Sequence, residues 1–180
     1  MDRAIELFQK MHPQHFEGTT DPIVAENWLE KMEKVFDGMR CPNDRKVSLV
    51  VTVLDGEGND WWKHYRRIHF RDRPVEAISW EEFVKAFRQK YVPHSARIKM
   101  RVELERLVQR NMTVPEYEAK FTSLSKFVPQ LVSTEEDNCY MFQKGLRDSI
   151  RAAVILTLAR DYSQLVEVAT LIEQDQQVNL

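Results

Sequence analysis

SWEEFVKAFRQKYVPHSARIKMRVELERLVQRNMTVPEYEAKF, residues 79–121, carries three helix signatures in one run. Trp80, Phe83, Val84, Phe87 and Tyr91 recur at helical spacing and put an aromatic stripe down one face. Ser79 with Glu82 three residues on is a capping box, which marks the helix start, and Pro93 stops the helix. Ile98, Val102, Leu104, Leu107 and Val108 predict a second amphipathic helix. Thr113 and Glu116 form another capping box with Pro115 early in the third helix, where its missing N–H costs least. Tyr117, Phe121 and Leu124 line the inner face of that helix.

The flanking chain reads the same way. Residues 2–11 predict a short helix, and HPQHFEGTTDP is turn-rich, with Phe16 as its anchor on the helices behind. Asp21 before Pro22 starts a helix whose apolar face is Ala25, Trp28, Leu29, Met32, Val35, Phe36 and Met39. A helix with Val47, Val50, Val51 and Leu54 inward follows Cys41-Pro42, and another spans 57–70. That one carries Trp61 and Trp62; adjacent helical residues point apart, so one enters the core and the other sits at its rim. Beyond 125, helices start at Ser133-Thr134, at Arg147 and at Asp161. The expected fold class is all-α, two small helical-bundle domains joined by a short linker. The expected division is an N-terminal segment 1–15, a first domain 16–92, a second domain 95–176 and a tail 177–180.

Composition narrows the function. Lys and Arg total 26 against 28 Asp and Glu, a formal charge of -2, which argues against a chain whose main task is gripping nucleic acid. Five glycines and few alternating runs point away from a β fold. Cys41 and Cys139 stand far apart without metal or disulfide-framework spacing. His12 and His15 have no further ligand cluster beside them, so no metal and no cofactor are expected. No apolar run approaches the roughly 20 residues of a membrane span, and the N-terminus lacks a signal-peptide core. Gly-rich phosphate loops, G-x-S-x-G and H-E-x-x-H are absent, so no enzyme and no small-molecule substrate are expected.

The order of residues says more than the pattern. W-x-x-F-x-x-x-F-x-x-x-Y-x-P, R-x-E-L-x-x-L-x-Q and V-x-E-Y-x-x-x-F resemble the Gag protein of gypsy-class LTR retrotransposons. Trp80, Phe83, Phe87, Tyr91, Pro93, Arg101, Glu103, Leu104, Leu107, Gln109, Val114, Glu116, Tyr117 and Phe121 carry the likeness. F-x-G-x-x-D-P-x-x-A-x-x-W-L-x-x-M-E, C-P-x-x-x-K-V and L-x-G-x-x-x-x-W-W extend it over the first half, through Phe16, Gly18, Trp28, Trp61 and Trp62 among others. The stretch 109–121 also resembles the major homology region of retroviral capsid carboxy-terminal domains. There Gln109 and Glu116 stand for the polar pair, and Tyr117 and Phe121 for the aromatics. Arg110 replaces the usual Gly, and Lys120 stands near the usual Arg.

The resemblance implies a structural protein that acts by associating with itself, from dimer to shell, in cytoplasmic virus-like particles. RNA would be held by a downstream zinc-knuckle region absent from this sequence. The alternative is a domesticated Gag-derived adaptor that binds a partner peptide without forming shells. Two surfaces follow as candidates. Val154, Ile155, Leu158 and Trp61 are apolar residues left over for assembly. Arg66, Arg67, Arg71 and Arg73 form a basic stretch read first as a solvated helix end and second as a weak nucleic-acid contact.

Overall fold

Ten α-helices account for most of the described residues, 2–180, of the computed structural model, with no strand among them. The chain divides into two units, Met1–His94 and Ser95–Leu180. The first holds α1 (Arg3–Lys10), α2 (Pro22–Gly38), α3 (Asn43–Val50), α4 (Gly56–His69) and α5 (Trp80–Tyr91). The second holds α6 (His94–Glu105), α7 (Val114–Ser125), α8 (Glu135–Lys144), α9 (Asp148–Thr157) and α10 (Tyr162–Val178).

In the first unit the aromatic stripe of α5 is the core. Trp80, Phe83, Phe87 and Tyr91 are all buried, and α5 packs on α2 and α3. The capping box is made as the sequence implies: Glu82 N–H donates to Ser79 Oγ at 3.1 Å, and Ser79 N–H to Glu82 Oε2 at 2.9 Å. Phe16 closes the core from the turn-rich segment, its ring 4.9 Å from Trp28, 5.1 Å from Phe87 and 4.9 Å from Tyr91. Its backbone is held too, donating to Val53 O at 2.9 Å and accepting from Asp55 N–H at 2.8 Å. A Cβ at position 58 would lie 2.9 Å from Phe16 O, so only glycine lets α4 approach this closely. The segment 1–15, set apart on sequence, adds Phe8 to this core, stacked on Phe36 at 5.8 Å.

On α4, Trp62 is buried against Phe83 at 5.2 Å. Trp61 is half-buried and rests on Phe83, Phe87 and Tyr91 at 5.6–6.2 Å. It is therefore a flank of the core and not the left-over surface residue expected of it. Arg73 is corrected as well. Its guanidinium pairs with Glu82 at 2.7 and 2.9 Å, donates to Ala77 O at 2.6 Å and lies 5.2 Å from the Phe70 ring. It braces the loop into α5 and is committed to the fold.

In the second unit α7, α8 and α9 pack on α10 around Tyr117, Phe121, Leu124, Phe142, Ile150, Val154, Leu165 and Ala169. Three starts are capped by side chains: Thr113 with Glu116 in a full box, Thr134 on Asp137 N–H, and Asp161 on Gln164 N–H. The second helix of the opening stretch differs from expectation. It ends at Glu105, and its buried face is Met100 and Leu104, while Ile98 and Val102 are exposed. Leu107, half-buried, and Val108, exposed, lie past the end, because the chain leaves helical register on its way to Arg110 at φ 48°.

Two outcomes follow for the first unit. Replacing Trp80 or Phe87 with Ala should cost about 3–5 kcal/mol, a large share of the stability of so small a unit, read by denaturant unfolding. Glu82 gives a pH dependence. Hydrogen bonding from Arg73, helped by the Ser79 N–H, holds its carboxyl at about 2 against an ordinary 4.5. Between those values the unfolded chain binds the extra proton, so this stabilisation is complete above about 4.5 and lost as pH falls toward 2. The stability gap between the wild type and Glu82→Gln should be open at neutral pH and close across that window.

Candidate functional site

The strongest concentration of buried polarity lies in the second unit, at Gln109. The residue is 0% exposed and every polar group of its amide is used. Its Nε2 donates to Met112 O at 2.9 Å and to Glu173 Oε2 at 2.8 Å, and its Oε1 accepts from Arg147 N–H at 3.0 Å. Its backbone N–H donates to Gly145 O at 2.8 Å. Glu173, 4% exposed on α10, accepts from Val114 N–H at 2.9 Å and from Arg147 Nη2 at 2.7 Å. Arg147 Nη1 reaches Arg110 O at 3.1 Å and Met112 O at 3.2 Å. One buried carboxylate thus meets a guanidinium, an amide and the first N–H of α7, where the helix dipole favours an anion.

This arrangement corrects the expected pair. Glu116 does not meet Gln109, because its Oε2 is turned back onto Thr113 N–H at 2.9 Å as the reciprocal half of the α7 cap. The acid of the network is Glu173 and the guanidinium is that of Arg147, while Lys120 is exposed. Arg110 takes the left-handed conformation, φ 48°, that the usual glycine would adopt freely. The aromatics sit as the motif suggests. Tyr117 and Phe121 are buried, 5.0 and 5.5 Å from the Phe142 ring. Tyr117 donates its hydroxyl to Phe142 O at 2.7 Å, and burial pushes its pKa upward, which keeps that proton in place. A Cβ at Gly145 would stand 2.3 Å from both Leu107 O and Tyr117 Oη.

The surface candidates separate. Val154 is 1% exposed and belongs to the core, which removes it from any assembly surface; the inner face of α9 runs through Ile150 and Val154. Ile155 at 51%, Leu158 at 77% and the unanticipated Leu156 at 82% are exposed together at the end of α9. The sequence does not single out Leu156, because α9 is apolar on several sides and spacing alone leaves its outer face undecided. In the basic stretch Arg66 is half-buried and Arg67 and Arg71 are exposed. Among the described residues no three His, Cys, Asp or Glu side chains gather as a metal site, and no helix is long and apolar enough to cross a membrane.

Residues 3–178 match the family described as Ty3 transposon capsid-like protein. The chain belongs to this family. It is a Gag capsid-type protein, in agreement with the gypsy-class resemblance of its sequence. The Ty3 capsid-like chain is also similar to the solved structure of a dARC1 capsid domain dimer, at 18% identity over 90% of this chain and 95% of that one, with a TM-score of 0.40. No curated protein matches it.

Two substitutions probe the network of this capsid-like chain. Glu173→Ala removes the acceptor that Arg147, Gln109 and Val114 N–H share, leaves the Arg147 charge unpaired, and should destabilise the second unit by about 3–5 kcal/mol. Gly145→Ala forces Tyr117 off its seat, and near-ultraviolet dichroism should show the tyrosine signal changed along with a lowered unfolding midpoint.

Proposed function

We propose that this chain is a capsid subunit that associates with itself into virus-like particle shells. The observation that supports the reading is the exposed apolar end of α9. Ile155, Leu156 and Leu158 face solvent although the core beneath them is already filled by Ile150 and Val154. Leu158 closes the helix in the left-handed conformation, φ 53°, a position where glycine costs least and a leucine is strained by about 1–2 kcal/mol. Three exposed aliphatic side chains make a small apolar surface, less than each partner buries in a stable complex. A single contact of this size is weak, and repetition around a closed shell is what makes it count.

The adaptor reading rests on a different feature, an open groove of ≈ 780 Å³ in the second unit with Val102, Leu107 and Val108 along it and Arg106, Arg110 and Lys120 at its sides. Sedimentation velocity with negative-stain microscopy decides between the two. A shell former shows a monomer–dimer equilibrium when dilute and larger assemblies at high concentration or high salt, where charge repulsion is screened. Leu156→Glu, at a solvent-facing position, should leave the unit folded and abolish the larger species. A wild-type chain that stays monomeric at millimolar concentration in low and high salt would decide for the adaptor.

A further inference from the structure

The basic face of α4 is unused by the fold and by the contact just described. No acidic residue lies between Asp60 and Asp72, while Lys63, Arg66, Arg67 and Arg71 all do. Arg45, Arg73, Arg88, Arg101, Arg147 and Arg151 each hold a carboxylate. Among the described residues the side chains of Lys63, Arg66, Arg67 and Arg71 have neither an ion pair nor a hydrogen bond. The helix dipole accounts for Arg66 and Arg67 in the last turn of α4. It does not account for Lys63, well before that turn, nor for Arg71, beyond the helix end. Lys63 is a like-charge neighbour of Arg66 and Arg67 at the i,i+3 and i,i+4 spacings, which works against the helix. The same stretch carries Tyr65 and His69 stacked ring on ring at 4.1 Å, with His69 exposed.

We propose that this face binds the phosphate backbone of single-stranded nucleic acid, without sequence preference. Lys63, Arg66, Arg67 and Arg71 take the phosphates, and the exposed His69, three residues after Arg66, offers a base a ring to lie on at the border of this face. An anionic membrane would find the same cations, but a helix lying in a lipid surface needs an apolar face. Here the exposed large apolar side chain on α4 is Ile68. The overall charge of -2 does not oppose the reading, because Lys63, Arg66 and Arg67 share one side of α4 and Arg71 follows just past its end. The contact is distinct from a zinc knuckle and needs no metal.

Fluorescence anisotropy of the full chain with a labelled oligouridylate and a labelled oligothymidylate tests it. Binding to both is expected, weakening by roughly 10–50-fold between about 50 and 200 mM salt, since each phosphate contact on a single strand adds a slope of about −0.7. Arg67→Gln with Arg71→Gln should weaken binding about 10-fold and lower the slope by about 1.4. Lys99→Gln with Lys120→Gln makes the same charge change at exposed positions of the second unit and should leave affinity within about 2-fold if the site is local. Undetectable binding at the lower salt, equal losses in both variants, or binding to phosphatidylserine-containing vesicles but to neither oligomer would overturn the proposal. Circular dichroism of each variant separates lost binding from lost structure. Sedimentation without nucleic acid reads assembly independently, so neither result stands in for the other.

Discussion

A carboxylate buried in a small helical unit has to be met by donors from several directions at once, and the second unit is arranged around meeting that demand at Glu173. Its partners come from the turn before α7, from the first residue of α7 and from the turn before α9, while Glu173 itself rides on α10. Replacing Glu173, Arg147 and Gln109 together by apolar residues of similar size could leave stability little changed, whereas removing Glu173 alone strands its donors. What the charge adds is direction. An apolar contact tolerates a slide of one helix turn, whereas an amide, a guanidinium and an N–H all aimed at two oxygens fix one register.

The first unit solves the same problem of size by other means. It has too few residues for a deep aliphatic core, and rings from four segments touch instead: Phe16, Trp28 on α2, Trp61 and Trp62 on α4, and the α5 stripe. Aromatic rings bury large areas per residue and prefer tilted or edge-on contacts, which the many non-parallel pairs here satisfy. Its polar ties, such as Arg73 with Glu82, sit at the rim of that core.

What could be read from the sequence was what is local. Capping residues lie three positions from their partners, and an aromatic stripe repeats every three or four residues, so Ser79, Thr113, Trp80, Phe87 and Tyr117 announced their helices. The Gln109 network was half legible. Gln109 was singled out, but Glu173 and Arg147 lie far along the chain. The available hint was that Glu173 continues the buried series Leu165, Ala169 at four-residue steps, an acid on an inner face. Val154 and Leu156 show the converse limit: where a helix is apolar on all sides, spacing gives two candidate faces and only packing chooses between them. Arg73 was grouped with its basic neighbours because charge is visible in a sequence and a partner nine residues away is not.

The seat of Phe16 also bears on how the chain is made. Phe16 precedes every residue it packs against, and its backbone bonds go to Val53 and Asp55. During synthesis it leaves the ribosome early, yet its pocket is complete only when Phe87 and Tyr91 have followed. At about 5–20 residues per second, that leaves the segment undocked for several seconds. The earliest part of the chain to be made is among the last to find its place, and the nascent first unit carries an exposed phenylalanine that a chaperone could hold throughout that interval.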